Sequence, residues 1–225
     1  MSVHLPREIA KLKKTLLSLC ALVEEQLQRA MDALQTRDES EAQRVLDRDA
    51  EVDHREVEIE EECLKALALH QPVAGDLRFL VSVLKMNRDL ERIGDLAVNI
   101  ARKARTIAGY SNLNIPFDLA GMWSKCQAML HDSIDALINR DAASAQRICG
   151  RDSDVNQMKR QIRRQAEELL RADPSRSPAW LALLGVARNL ERIADHAVNI
   201  AEDVIYLVEG RIVRHEPGLN GAAAR

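Results

Sequence analysis

Apolar residues recur three and four positions apart over most of the chain, the spacing of amphipathic helices. From about Leu5 to Leu34 this pattern is unbroken, and it stops at Thr36-Arg-Asp-Glu-Ser40. A second stretch runs to about His70 and ends at Gln71-Pro72, because proline cannot continue a helix. A third runs from about Val73 to Ile107. It stops before Gly109 to Pro116, GYSNLNIP, the one stretch rich in turn residues. The pattern then begins again, over about Asp118–Asn139, Asp141–Ala172 and Ser177–Glu209, with Pro174 and Pro178 around the last start. Long helices joined by short turns pack as antiparallel bundles. The fold class read from this is all-α: two tandem three-helix bundles, six long helices in all. Residues 1–109 form the first bundle, 110–117 a linker and 118–215 the second. The tail 216–225, EPGLNGAAAR from Glu216, is expected to be disordered.

The second bundle repeats the first. Arg88 to Ala101 reads RDLERIGDLAVNIA, and Arg188 to Ala201, 100 residues later, reads RNLERIADHAVNIA. A second match lies 103 residues apart: Asp32-Ala-Leu-x-x-Arg37-Asp38 against Asp135-Ala-Leu-x-x-Arg140-Asp141. It continues through Arg48-Asp49-x-x-Val52 against Arg151-Asp152-x-x-Val155. Two matches in the same order at nearly the same offset indicate duplication of a whole unit. The slip of three residues falls at the Gln71-Pro72 and Asp173-Pro174 turns, where loops tolerate length changes.

Composition agrees with helices and narrows the class. Among 225 residues there are 9 Gly, 6 Pro and only 3% aromatics, too few for a sheet protein with its frequent turns. The net charge of −3 leaves no basic footprint for nucleic acid and no polybasic membrane tag. No apolar run reaches the roughly 18 residues of a membrane span. Met1 to Lys14 carries charges where a signal peptide would have its apolar region. A cytoplasmic protein is expected. Cys20, Cys63, Cys126 and Cys149 are widely spaced, without a CxxC pair, and fit as small core residues. Trp123 and Trp180 fit as packing residues.

The third helix of each unit carries the candidate chemistry. Heptad spacing links Leu77, Val81 and Leu84, seam residues by type, to Arg88, Glu91 and Asp95, which are charged. Met86, Leu90, Ile93, Ala97, Ile100 and Ala104 form a separate stripe that stays apolar. The sixth helix repeats the change, from Leu181 and Leu184 to Arg188, Glu191 and Asp195. Glu91, Asp95 and Asn99 share one helix face, as do Glu191, Asp195 and Asn199. The second helix adds Asp49 and Asp53, along a stripe with Ala42, Val45, Val52, Ile59 and Cys63; the fifth offers Asp152 and Asn156. If these pairs face each other, three or four carboxylates converge. That costs several kcal/mol unless they are protonated or share a cation. Oxygen donors suit magnesium, calcium, manganese or iron. The same residues, with Arg88, Arg92, Arg188 and Arg192 beside them, would equally make an interhelical salt-bridge layer.

Other signals are weaker. Glu51-x-x-His54 has the di-iron spacing, but its counterpart is Asp154-x-x-Gln157, and such a site needs the motif twice. His196 points off the ladder face. A metal-dependent bundle enzyme would need a base and an open coordination position. No Gly-rich phosphate loop, Ser/His/Asp set or nucleotide fingerprint supports one, and a purely structural helical protein is the other alternative.

The doubled LERIxDxAVNIA (Leu90–Ala101 and Leu190–Ala201) resembles the PhoU family of phosphate-specific transport accessory proteins. So do Gln71-Pro-Val-Ala-Gly-Asp-Leu-Arg78, the Asp49/Asp53 pair, and the ending from Asn199 to His215. The resemblance covers about Leu12 to His215. It implies two bundles related by pseudo-twofold symmetry, in a cytoplasmic homodimer. It also implies negative regulation of phosphate uptake and of the phosphate-starvation response, without catalysis. The implied partners are the ATPase subunit of the phosphate transporter (PstB) and a sensor histidine kinase (PhoR). It further implies metal ions at the E/DxxxD motifs, with iron, magnesium, manganese, calcium or zinc all candidates. Those motifs are Asp49, Asp53, Glu91 and Asp95 in one unit and Asp152, Asn156, Glu191 and Asp195 in the other. Arg88, Asn99, Arg188 and Asn199 stand beside them as supporting or interaction residues. Asn156 replaces the carboxylate of Asp53, so the second site is expected to bind less tightly.

Overall fold

The computed structural model describes residues 5–110 and 112–213, so the tail read as disordered, 216–225, lies outside the described residues. The described residues form eight α-helices and no strand. The first unit contains α1 (Leu5–Thr36), α2 (Glu39–Asp47), α3 (Asp49–His70) and α4 (Ala74–Ala108). The second contains α5 (Leu119–Asn139), α6 (Ala142–Ile148), α7 (Asp152–Ala172) and α8 (Ser177–Glu209), with a 3-10 turn at Pro174–Arg176 before α8.

Each unit is the expected three-helix bundle, with one refinement. The middle helix is not continuous: it breaks at Arg48 in the first unit and around Gly150-Arg151 in the second. At Arg48 the backbone turns to φ −93°, ψ 0°, and its N–H reaches back to the Leu46 carbonyl. Asp49 and Asp152 therefore begin new helices. There the unpaired N–H groups and the helix dipole favour a negative side chain. The other shared Arg-Asp pair is a turn device. Arg37 (φ 57°) and Arg140 (φ 51°) take left-handed backbone, which ends α1 and α5. Asp38 then accepts the Glu41 N–H at 3.0 Å and Asp141 the Ser144 N–H at 3.0 Å, capping α2 and α6. Arg37 also ties down the link between units, since its guanidinium donates to the carbonyls of Tyr110 (2.9 Å) and Leu113.

The two long helices α4 and α8 lie against each other at the centre. α1 packs on α4 and α5 on α8, while α3 and α7 occupy equivalent outer positions against α4 and α8. One continuous apolar core results. The stripe Met86, Leu90, Ile93, Ala97, Ile100 and Ala104 is buried throughout, as are Leu190, Ile193, Ala197 and Ile200 on α8. Fully burying one such Leu or Ile is worth about 1.5–3 kcal/mol. All four cysteines are buried, and burial pushes the thiols of Cys20, Cys63 and Cys126 up to about 12. Trp123 and Trp180 are buried too, with Trp180 edge-on to Phe117 at 6.3 Å.

The heptad stripe behaves differently from its reading as a seam. Leu77 (41% exposed) and Leu181 (55%) face outward, and Val81, Leu84 and Leu184 are only half-buried. The acidic ladders thus continue an outer flank rather than interrupt a core seam. Periodicity marks which residues share a face, but burial depends on how many neighbours cover that face.

The seam between α4 and α8 is polar in places and asymmetric. Lys85 pairs with Asp203, which is 1% exposed, and its ammonium lies 5.5 Å from the Tyr206 ring centre. In the other unit the corresponding positions are Gly185 and Lys103. A methyl group on Gly185 would sit 2.3 Å from Lys103 Cε, so that lysine's stem fills the space a side chain would need. Asp89 Oδ1 accepts from Asn199 Nδ2 at 3.1 Å and is bonded to His196 Nδ1 at 2.7 Å, joining α4 to α8.

Candidate functional site

In the first unit the N-terminal half of α3 faces the middle of α4. Asp49 is raised from its ordinary value by partial burial first, then by Asp53 and Asp95, with Arg102 opposing. Glu91 is raised by burial, then by Asp95, with smaller contributions from Glu56 and Asp53. Glu56 is raised by burial and by Glu60 and Asp53, opposed by Arg88 and Arg92. Burial is the first cause of each shift, and repulsion among the carboxylates of Asp49, Asp53, Glu56, Glu91 and Asp95 on the two helices adds to it. Arg92 supplies part of it from within α4, at 3.1 Å from Asp95 and 3.4 Å from Glu91.

In the second unit α7 meets α8 in the same way, with a different balance. Asp195 is pushed up to about 6 by desolvation, then by Glu191 and Asp152. Asp152 is raised by burial. Its Oδ2 accepts from Asn156 Nδ2 at 3.3 Å, and its Oδ1 is buried with no hydrogen-bond partner among the described residues. Lys159 reaches across from α7 to Glu191 at 2.6 Å. This interhelical ion pair is of the kind the salt-bridge alternative describes, though made by Lys159 rather than by an arginine, and among the described residues no ion pair links Glu91 to α3. In the first unit the arginine contacts to Glu91 and Asp95 come from the same helix.

Of the residues singled out in the sequence, Asp49, Asp53, Glu91 and Asp95 come together, as do Asp152, Asn156, Glu191 and Asp195. Arg88 acts electrostatically on Glu56. Asn99 accepts from Arg102 at 3.2 Å. Arg188 lies near Lys103 and helps to lower it. Asn199 goes to Asp89 on the seam rather than to Asp195. Two cluster members were not singled out: Glu56 and Lys159. The signal was available, because 103 residues separate them and Glu56 continues the face of Asp49 and Asp53.

The donor chemistry suits a hard cation, since the groups are oxygen ligands whose repulsion a cation would relieve. As placed, no three His, Cys, Asp or Glu side chains among the described residues are close enough to hold a metal ion. Chelation would need rotation of the Asp and Glu side chains. In the first unit these have no lysine to displace. In the second, Glu191 would have to leave Lys159, while Asp152 Oδ1 is buried and free of side-chain partners among the described residues.

Fold and clusters together define a duplicated all-α protein with an acidic cluster in each repeat. The PhoU domain family model matches the chain twice, over residues 16–104 and 119–204, and the chain belongs to the PhoU family. It is 33% identical over 207 residues to a phosphate-specific transport system accessory protein PhoU homolog of Clostridium acetobutylicum, covering 92% of this chain and 94% of that one. It is 34% identical over 211 residues to the accessory protein PhoU of Escherichia coli, covering 94% and 88%. The crystal structure of PhoU from Pseudomonas aeruginosa superposes with a TM-score of 0.87 at 35% identity, covering 92% of this chain and 99% of that one. That of the phosphate transport system regulatory protein PhoU from Streptococcus pneumoniae gives 0.86 at 29% identity, covering 93% and 99%.

Proposed function

We propose that the protein is a non-catalytic regulatory accessory of a phosphate-specific transport system, binding a metal ion at the Asp49, Asp53, Glu91 and Asp95 cluster. In this reading it limits phosphate uptake and represses the phosphate-starvation response. It does so as a cytoplasmic homodimer that links the transporter's ATPase subunit (PstB) to a sensor histidine kinase (PhoR). Family membership supports the transport role. The observation that carries the metal reading is the five-carboxylate set, with its raised Asp49, Glu56 and Glu91. A bound cation would neutralise these charges and fix the spacing of α3 and α4. The chain's own contribution is to hold Asp49 at a helix start and Glu91 and Asp95 one turn apart, on a half-exposed flank open to a partner. No helix among the described residues is long and apolar enough to cross a membrane, and in this reading the membrane is met only through partners.

The test is a Glu91→Ala/Asp95→Ala double variant. It should purify with less metal by elemental analysis and derepress phosphate-starvation genes under replete phosphate. Wild-type metal content together with normal repression would overturn the assignment.

A further inference from the structure

The outer helices α3 and α7 are structural equivalents, yet their charges are inverted. α3 carries eight acids and two bases, whereas α7 carries five bases and four acids. The contrast is sharpest where each helix runs past its cluster. Val155 to Ala166 contains Lys159, Arg160, Arg163 and Arg164 and no acid. The matching stretch, Val52 to Cys63, contains six acids and one arginine. Much of the difference lies on the outward faces. Glu60 and Glu61 are exposed on α3, and Arg160 and Arg164 on α7, none with an ion-pair partner among the described residues. The outward face of α3 also shows Val57 (48% exposed) and Leu64 (53%), one turn to either side of the acids. The outward stripe of α7 is Gln157, Arg160, Gln161, Arg164 and Gln165, lining a shallow groove without a carboxylate.

We propose that these two faces are complementary halves of one interface between two copies of this chain: the acidic face of α3 receives the basic face of α7 from the second copy. This rests on the homodimer reading above and names its contact. An α3–α3 contact would set acid against acid, and an α7–α7 contact base against base, so charge selects the crossed pairing. A twofold dimer that turns both faces of each copy toward the other makes the contact twice and closes on itself. The stems of Arg160 and Arg164 cover Val57 and Leu64, and the exposed apolar residues and charges are satisfied together.

The test is the association constant by sedimentation across a concentration series, at low and high salt. Wild type should dimerise, more weakly by about tenfold or more between 0.05 and 0.5 M NaCl, because screening weakens exposed charge pairs. Arg160→Glu/Arg164→Glu alone should be monomeric, as should Glu60→Lys/Glu61→Lys alone. Mixing the two double variants should restore a heterodimer, and combining all four changes in one chain should restore the homodimer. The rescue keeps the test decisive even if a double variant is poorly folded by itself. A wild-type dimer that all these changes leave untouched would overturn the contact alone. A wild-type chain monomeric at every concentration would overturn the homodimer reading and the contact with it.

Discussion

The two acidic clusters occupy the same place on duplicated helices and differ at two charged positions, Glu56 against Lys159 and Asp53 against Asn156. Where α3 presents Glu56 to Glu91, α7 presents Lys159 to Glu191 at 2.6 Å. The first cluster is left with five carboxylates and only intrahelical arginine contacts to Glu91 and Asp95. The second supplies its own cation and replaces one carboxylate with Asn156. Duplication kept the ladders because helix geometry and core packing fix where those positions fall. It did not keep their electrostatics, since partly exposed positions can change charge without disturbing the core. The seam shows the same freedom, with Lys85 on buried Asp203 at one end and Lys103 beside Gly185 at the other.

The seam offers the largest effect. Lys85→Met removes the ammonium from a carboxylate that is 1% exposed, and should cost about 3 kcal/mol in denaturant unfolding. Lys103→Met should cost little or stabilise, because burial and the neighbouring Arg102 and Arg188 already disfavour that lysine's charge. Equal losses for both would show the seam to be symmetric after all.

Exchanging the cluster charges comes next. Lys159→Glu gives the second cluster four carboxylates against five in the first, with Asn156 still in place, and should cost about 2 kcal/mol, recoverable by a divalent cation. Glu56→Lys does the reverse, stabilising the metal-free protein by about 0.5–1 kcal/mol and abolishing any metal-dependent rise in Tm. If both variants melt like wild type, with and without metal, the exchanged charge is not what distinguishes the clusters.

The last effect is pH-dependent. Asp195 titrates at about 6 when folded against an ordinary value of 3.8, so the folded state holds its proton more tightly than the unfolded chain. Its contribution is therefore most favourable below about pH 4, is lost as pH rises to about 6, and is level above that. Asp195→Asn removes that loss. It should stabilise by about 1 kcal/mol at pH 7.5, after allowing for solvent screening, and by nothing at pH 4. A constant difference across thermal melts from pH 4 to 7.5 would show that Asp195 is not desolvated.

Much of this was legible in the chain. The 3.6-residue period and the 100-residue repeat gave the all-α duplicated fold, because buried helix faces must be apolar at that spacing. The four-residue ladders gave most of each cluster, because one helical turn is a local fact. The break before Asp49 and Asp152 leaves no mark in the pattern, since a short helix and its continuation share one apolar stripe and are separated by backbone turns ending at Arg48 and Arg151. The exposure of Leu77 and Leu181 is not legible in the chain, because a heptad does not report what covers it.

The helices, their duplication and the charged residues that share a turn all follow from chain-local geometry. Which helices face each other is settled by packing alone. Packing set Glu56 beside Glu91 but Lys159 on Glu191, drew Asn199 away to Asp89, and turned the oppositely charged faces of α3 and α7 outward. Coulomb energies depend on distance through space, and for residues on different helices that distance is set only when the bundles pack.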